Sequence, residues 1–437
     1  MVARALMGLS SAGGSVTLGM IADMWEPEEQ QFAVAYVVLS SVAGSVVAPI
    51  VGGPITEYLD WTWVFWVSLI FGVVAQGIHF FTPETRSDVL LDKHAKMLRE
   101  TGQDKNVYGP NEIKGSLWQR LTFKEVATLM FRPYKFMYTE PIVLFLSLLS
   151  GFSDALIFAG LDSFPLVLAK WDFSVIATGL AFIPLLIGYI LAYASFLPVY
   201  WRDRKQMRTD RARYPPERRL WWLCYLVPLE PIGLLLYGLC SYFAPDVHWI
   251  APMFCSGLIG IANFAIYMAT IDYMIAAYGP FSASATGSNG FFRDFLAGIA
   301  ALYTRPMYTN FAPGTRLQLA IPAWILTGIG ILLCIPVYVF YVKGEWFRKR
   351  SVYAQQLAHE RDDRRQQRDE AIRSLPTSPT ASRLNSRPGS RAQSPSRRRP
   401  AANNGLDIMQ LDSRLSAVPE SEPERVTETV ELKSFSA

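Results

Sequence analysis

What most limits this chain is an alternation of long apolar blocks with short polar joints. Nine blocks reach spanning length: residues 2–23, 32–56, 62–82, 139–160, 174–200, 219–243, 249–277, 283–306 and 318–342. A helix rises about 1.5 Å per residue, so roughly 20 apolar residues cross the hydrocarbon layer. The fold class expected is an all-α polytopic membrane protein. Block one opens on Arg4 before an uncharged run, as a signal peptide would. Its Gly8, Gly13, Gly14 and Gly19, with Ser between them, make a poor signal core but a good packing surface, so it reads as a spanning helix.

Apolar residues make up 51% of the chain, a figure that averages two populations. Residues up to 343 carry the blocks, whereas 344–437 is polar and rich in Ser, Pro and Arg. The tail opens on a helix-permissive run, Gln355 to Ile372, and continues as low-complexity sequence that cannot bury enough apolar surface to fold. Ser378 and Ser394, each before a proline and among arginines, are candidate kinase sites in this disordered tail. The Arg397–Arg399 cluster is a candidate contact for anionic lipid. The four cysteines, Cys224, Cys240, Cys255 and Cys334, lie within blocks and read as buried small hydrophobes.

The joints orient the blocks. Ten Lys or Arg residues fall in the joint 83–138 and seven in 201–218, and the tail opens on Arg348, Lys349 and Arg350. The intervening joints are nearly bare of positive charge. By the positive-inside rule the long joint and the tail are cytoplasmic. Trp61, Trp63, Trp66, Trp171 and Trp249 then sit near outer ends and Trp201, Trp221 and Trp222 near inner ones, as interfacial belts. Nine crossings with a cytoplasmic tail put Met1 outside, and the long joint divides the helices three and six. A transporter of two matched six-helix halves would divide them equally, so three helices are expected upstream of Met1, roughly 80–150 residues with their joints.

Within block two, Gly44, Ala48 and Gly52 recur every four residues and form a smooth stripe on which another helix can pack closely. Pro49 within it removes an amide donor and predicts a bend. The plainer reading, preferred on the stripe alone, is a tightly packed helix with no moving role.

The segment 44–54 resembles the fifth-helix signature of fungal major facilitator drug:proton antiporters, twelve-helix multidrug and polyamine exporters. Gly44, Pro49, Gly52 and Gly53 match its glycine-proline pattern, with Ala48 for a glycine. Block one is similar to that family's fourth helix through Arg4 and Gly8, although Met7 stands where glutamine is usual. Pro83–Arg86 with Val89–Leu91 resembles the opening of the family's central loop, and Ser282–Ala285 followed by Asn289 and Arg293 its eleventh helix. The resemblance implies a major facilitator-like bundle whose first three helices are absent, with Arg4 facing the cavity. The divisions expected are 1–82, a partial N-terminal half; 83–138, a cytoplasmic central loop; 139–343, a six-helix C-terminal half; and 344–437, the disordered tail.

A charge at bilayer depth costs about 2.5–3.5 kcal/mol on insertion scales and needs a partner or a watery cavity. Glu230 lies mid-block between Pro228 and Pro231, and Asp154 follows Gly151. Arg293 and Asp294 are adjacent, so on a helix they diverge by about 100° and cannot simply satisfy each other. Glu230, Asp154, Arg293, Asn263 and Arg4 are the candidate substrate and proton residues, and Tyr189, Tyr193, Phe264 and Tyr267 are candidate cavity lining. The plainer reading for each is a structural ion pair, snorkelling or packing, and it is preferred for Asp23, Asp162 and Asp272 near block ends.

No phosphate-binding loop ending in Lys-Ser or Lys-Thr, no Gly-x-Ser-x-Gly elbow and no paired histidines occur, so no enzyme, cofactor or metal is expected. The reading is a secondary transporter that exchanges protons for small cationic or amphipathic solutes, such as drugs or polyamines. Its partners would be the solute, the proton and the lipid bilayer, with no nucleic acid. Its place would be the plasma membrane, or else the vacuolar membrane. In the rival reading it is a non-transporting scaffold or receptor whose tail recruits partners.

Overall fold

The computed structural model describes residues 29–102, 107–113, 123–209, 215–351, 353 and 355, with the isolated residues 8, 17, 20, 21, 24 and 25. Arg4, Asp23, most of block one, Ser378, Ser394 and Arg397–Arg399 lie outside these residues.

Among the described residues every regular element is helical. The chain runs through α1 (Gln30–Tyr58), α2 (Thr62–Phe80), α3 (Ser87–Glu100), a single turn Pro110–Ile113, and α4 (Phe123–Thr139). It continues through α5 (Pro141–Leu168), α6 (Val175–Leu180), α7 (Ile183–Thr209), α8 (Trp221–Leu226), α9 (Leu229–Tyr242), α10 (Ile250–Tyr278), α11 (Ser282–Asn310) and α12 (Ala320–Arg348). Among the described residues seven stretches are long and apolar enough to cross a membrane: Gln30–Tyr58, Thr62–Phe80, Pro141–Trp171, Val175–Thr209, Pro216–Tyr242, Ile250–Tyr278 and Ala320–Arg348. The expectation of nine spans is thereby modified. Block one lies mostly outside the described residues. Block eight forms the 29-residue α11, but Arg293, Asp294, Arg305 and its Ser, Asn and Thr residues leave it too polar to qualify on composition.

That polar helix is held by its neighbour. α11 makes its most extensive interface with α5, where Gly151, Ala155 and Ala159 recur every four residues. A Cβ at Gly151 would lie 2.7 Å from the Phe292 carbonyl oxygen, so only glycine admits this approach. Ala155 and Ala159 close the same seam against Ala300.

α10 is the central helix of the C-terminal bundle, buried along most of its length and packed on α5, α7, α9 and α11. α1 leans on this bundle at both ends, through Gln31 and through Pro49 and Gly53. By contrast, α2 buries no residue against the described part of the chain. The joint 83–138 contains two amphipathic helices, α3 and α4, where the sequence suggested a plain polar connection. Trp222 also departs from the interfacial expectation: it is buried, with its ring 5.2 Å from that of Phe196.

The small-residue stripe of α1 does not face the C-terminal bundle. Among the described residues nothing lies within 4 Å of a Cβ built at Gly44 or Gly52. Close approach occurs on the adjacent face, where a Cβ at Gly53 would lie 3.2 Å from the Val175 carbonyl oxygen and one at Gly179 only 2.6 Å from that of Pro49. α1 nevertheless continues as one helix through Pro49 and Pro54.

Candidate solute and proton site

The prolines around Glu230 explain its setting. Pro228 and Pro231 have no amide hydrogen, so the carbonyls four residues earlier, Cys224 and Val227, lose their usual helical donors, and Val227 accepts from the Glu230 amide at 3.2 Å instead. α12 supplies further partners. The Tyr338 hydroxyl donates to the Cys224 carbonyl at 2.8 Å, and the Cys334 thiol lies 3.7 Å from that of Val227. The helix restarts at Leu229, which places Glu230 in the first turn of α9. Its side chain is wholly buried, and neither carboxyl oxygen has a hydrogen-bond partner among the described residues. The Ser153 hydroxyl of α5 interacts with the carboxyl without making a hydrogen bond of ordinary geometry. Asn263 of α10 donates to Ser153 Oγ at 3.0 Å, while its own Oδ1 is unpartnered.

Asp154, next to Ser153, is compensated. Arg293 of α11 donates to its Oδ1 at 3.1 Å, with side chains 13% and 15% exposed. The guanidinium lies 3.6 Å from the Tyr267 ring centroid, a cation–π contact on its second face. Arg293 thus turns to Asp154 and not to its neighbour Asp294. The buried Tyr189 lies within electrostatic range of both members of the pair and has an unpartnered hydroxyl. Phe264 and Tyr193 meet edge to face at 6.2 Å. Glu230 and Asn263 thus meet at Ser153, while Arg293 pairs with the next residue of α5, Asp154, whose side chain leaves the helix about 100° further round.

A second set of polar contacts collects at the end of the bundle where the basic joints lie. Asp272 is buried and bonded by Arg219 and, at 2.8 Å, by Gln31 Nε2 of α1. Glu29 pairs with Arg204 and, at 3.3 Å, with Arg208. Glu217 accepts both arms of Arg348 at 2.7 and 2.9 Å. Asp272 was read as a structural ion-pair residue, and it occupies such a pair here. Asp162 is exposed. Just before α5, Glu140 is buried and accepts from Ser351 at 2.7 Å and from Tyr278 at 3.1 Å. Burial pushes its carboxyl up, against the pull of those two hydrogen bonds. In the central joint, the Arg99 guanidinium holds the exposed Glu112 carboxyl down at about 2.

Ser153, Tyr338, Cys334, Glu217 and Glu140 were not singled out from the sequence. Only Tyr338 and Cys334 had a signal there: a proline names the carbonyl four residues back that lacks its usual donor, and so asks for another. Cys255 and Cys334 are buried, as read, but Cys224 and Cys240 are only half-buried and all four are free thiols. Among the described residues no group of three or more His, Cys, Asp or Glu is placed to hold a metal ion.

The sequence also matches known proteins. The family model described as Major Facilitator Superfamily matches residues 1–302. The transporter paaT of Penicillium rubens is 31% identical over 359 residues, covering 81% of this chain and 63% of that protein. The transporter mfs1 of Schizosaccharomyces pombe is 29% identical, covering 79% and 64%. The multidrug transporter TPO1_1 of Candida glabrata is 27% identical, covering 80% and 60%. The chain thus spans less than two thirds of the length of these relatives. The seven helices long and apolar enough to span among the described residues, with this match, make it a multi-pass integral membrane protein. On the match over residues 1–302, the chain belongs to the Major Facilitator Superfamily.

Proposed function

We propose that this chain works in proton-coupled export of small cationic or amphipathic solutes, with Glu230 holding in turn a proton and the solute's positive charge. The observation that carries this reading is the contrast in compensation at the site. Arg293 already has its counter-charge in Asp154, whereas ionised Glu230 has none among the described residues. A buried charge without a partner is strongly unfavourable, and either a proton or a cation removes that cost. Tyr189 and Asn263 add polar groups not fully satisfied by the protein, which suit a solute with hydrogen-bonding groups. The name of the Candida glabrata relative, a multidrug transporter, supports an exported drug-like solute.

In this reading the two helical halves rock about the seam of α1 with the C-terminal bundle, closed at one end by Glu29 and Gln31 and at the other by Pro49 and Gly53. The basic end faces the cytosol, so the central joint and tail are cytoplasmic, in the plasma membrane or else the vacuolar membrane. The test is efflux from proteoliposomes carrying the full-length protein under an imposed pH gradient, with a fluorescent cationic dye as solute. Expected is gradient-driven dye movement that stops when a protonophore collapses the gradient. Absence of any gradient-driven movement, by a protein shown to be folded, overturns the reading in favour of a scaffold.

A further inference from the structure

The segment that follows α12 is docked, not free. Ser351 is buried, and its hydroxyl donates to Glu140 Oε1 at 2.7 Å. Two residues on, the Tyr353 ring stacks on Phe136 of α4 with centroids 4.4 Å apart, and meets Phe281 at 5.1 Å. Arg348, three residues before Ser351, is held by both oxygens of Glu217. These contacts clasp the end of the last helix to the start of α5. The sequence at the clasp is Arg348-Lys349-Arg350-Ser351. Three cations directly before a serine are what the acidic substrate groove of a basic-directed protein kinase reads.

We propose that Ser351 is a phosphorylation site for a basic-directed cytosolic Ser/Thr kinase, and that its modification opens this clasp. It is distinct from the Ser-Pro sites of the tail, and it rests on the reading that the basic end is cytoplasmic. In the step, Ser351 Oγ attacks the γ-phosphorus of ATP. An O–P bond forms to serine, the bond to the bridging oxygen breaks to release ADP, and the hydroxyl proton leaves to the kinase's base.

The clasp gates the step and is broken by it. While docked, both the hydroxyl and Arg348 are engaged within the protein, so the kinase acts on the locally opened form. After transfer, serine carries a charge near −2 where it had donated a hydrogen bond to a carboxyl. The phosphate cannot re-enter beside Glu140, because like charges would meet in a buried site. The nearby cations are already engaged: Arg350 lies 3.7 Å from the Trp346 ring centroid, Lys349 pairs with Glu345 at 2.7 Å, Arg348 is held by Glu217, and Arg132 lies over the Phe281 ring at 5.8 Å. Phosphorylation would therefore free the last helix from the start of the C-terminal bundle.

The experiment uses the full-length protein in detergent with the catalytic subunit of a basic-directed kinase and ATP, read by mass spectrometry of the peptide containing Ser351. Synthetic peptide 345–357, with and without Tyr353→Ala, corrects for kinase preference. Expected is efficient labelling of the peptide, slow labelling of Ser351 in the folded protein, and a rate about three- to tenfold higher in Tyr353→Ala, which loses the ring stack. Glu140→Gln, outside the recognition sequence, should raise the rate as well. No labelling of the peptide overturns the site. Equal rates in wild type and both variants overturn the clasp. Amide exchange across 349–355 should quicken in the phosphorylated protein, and unchanged exchange overturns the release. Sealed vesicles separate the two readings. Labelling in detergent but only in right-side-out vesicles overturns the cytoplasmic assignment and the cytosolic kinase with it, while failure in detergent condemns the site alone.

Discussion

Glu230 is a wholly buried and Asp154 a largely buried carboxyl of the C-terminal bundle, yet their surroundings are opposite. Asp154 has a guanidinium at 3.1 Å, itself backed by the Tyr267 ring. Among the described residues Glu230, wholly buried, has no cation and no ordinary hydrogen bond. The difference separates two uses of a buried carboxyl. A compensated one holds helices in register, because removing either partner strands a charge. An uncompensated one is free to change its charge state, because nothing in the protein depends on that charge being present.

Glu230→Gln gives the largest expected effect on function. It should reduce gradient-driven efflux to background while leaving the thermal midpoint in detergent at or above that of the wild type. A variant that exports normally with its pH dependence intact breaks the contrast at once.

Asp154→Asn should act the other way, chiefly on folding. Stranding Arg293 is expected to cost about 3–5 kcal/mol, read by denaturation in detergent. Replacing both members, Asp154→Asn with Arg293→Met, should recover most of that loss. If the single variant is as stable as wild type, Asp154 is not a structural partner and the division of roles fails.

A parallel comparison concerns the two stripes of small residues. Gly151→Ala places a Cβ against the Phe292 carbonyl and is expected to cost about 1–3 kcal/mol through overpacking. Gly44→Ala meets no described residue within 4 Å and should change stability by no more than about 0.5 kcal/mol. Thermal midpoints of the two variants side by side check this, and equal losses would sink the distinction. Somewhat smaller is Tyr267→Leu, which removes the ring face from Arg293 and should cost about 0.5–2 kcal/mol, with efflux retained.

The smallest effect lies in the central joint, where Glu112 pairs with Arg99 at 2.6 Å near the surface. Its carboxyl is held at about 2, below its ordinary 4.5. The pair therefore contributes fully above pH 4.5, and its contribution is lost as pH falls toward 2. The Gly109 amide, which donates to Glu112 at 3.2 Å, should lose exchange protection over that window, and salt should weaken it beforehand. Protection that is flat across the window would remove the pair from the account.

Much of the architecture was legible because it depends on local chemistry. The run 249–277 reads as a spanning helix whatever surrounds it, and Ile250–Tyr278 forms one. α11 shows the limit of that logic. Its helix was expected, but its polarity is intelligible only beside α5, which offers Asp154 to Arg293 and the Gly151 seam to Phe292. In the site, Glu230 was conspicuous as a mid-block carboxyl between prolines. Glu140 was not, because its partner Ser351 is 211 residues away and nothing near it marks the meeting.

By itself the sequence determined where helices run and where their hydrogen bonding fails. Apolar length and the missing proline amide are properties of a segment alone. Gly44–Ala48–Gly52 and Gly151–Ala155–Ala159 are equivalent as patterns, and so are Asp154 and Glu230 as buried acids. Only the tertiary structure decided between them. Close packing and charge compensation require a partner at a few ångströms, and the partners come from 139 residues along the chain for Asp154 and 241 for Asp272. No segment carries that information until the helices are side by side.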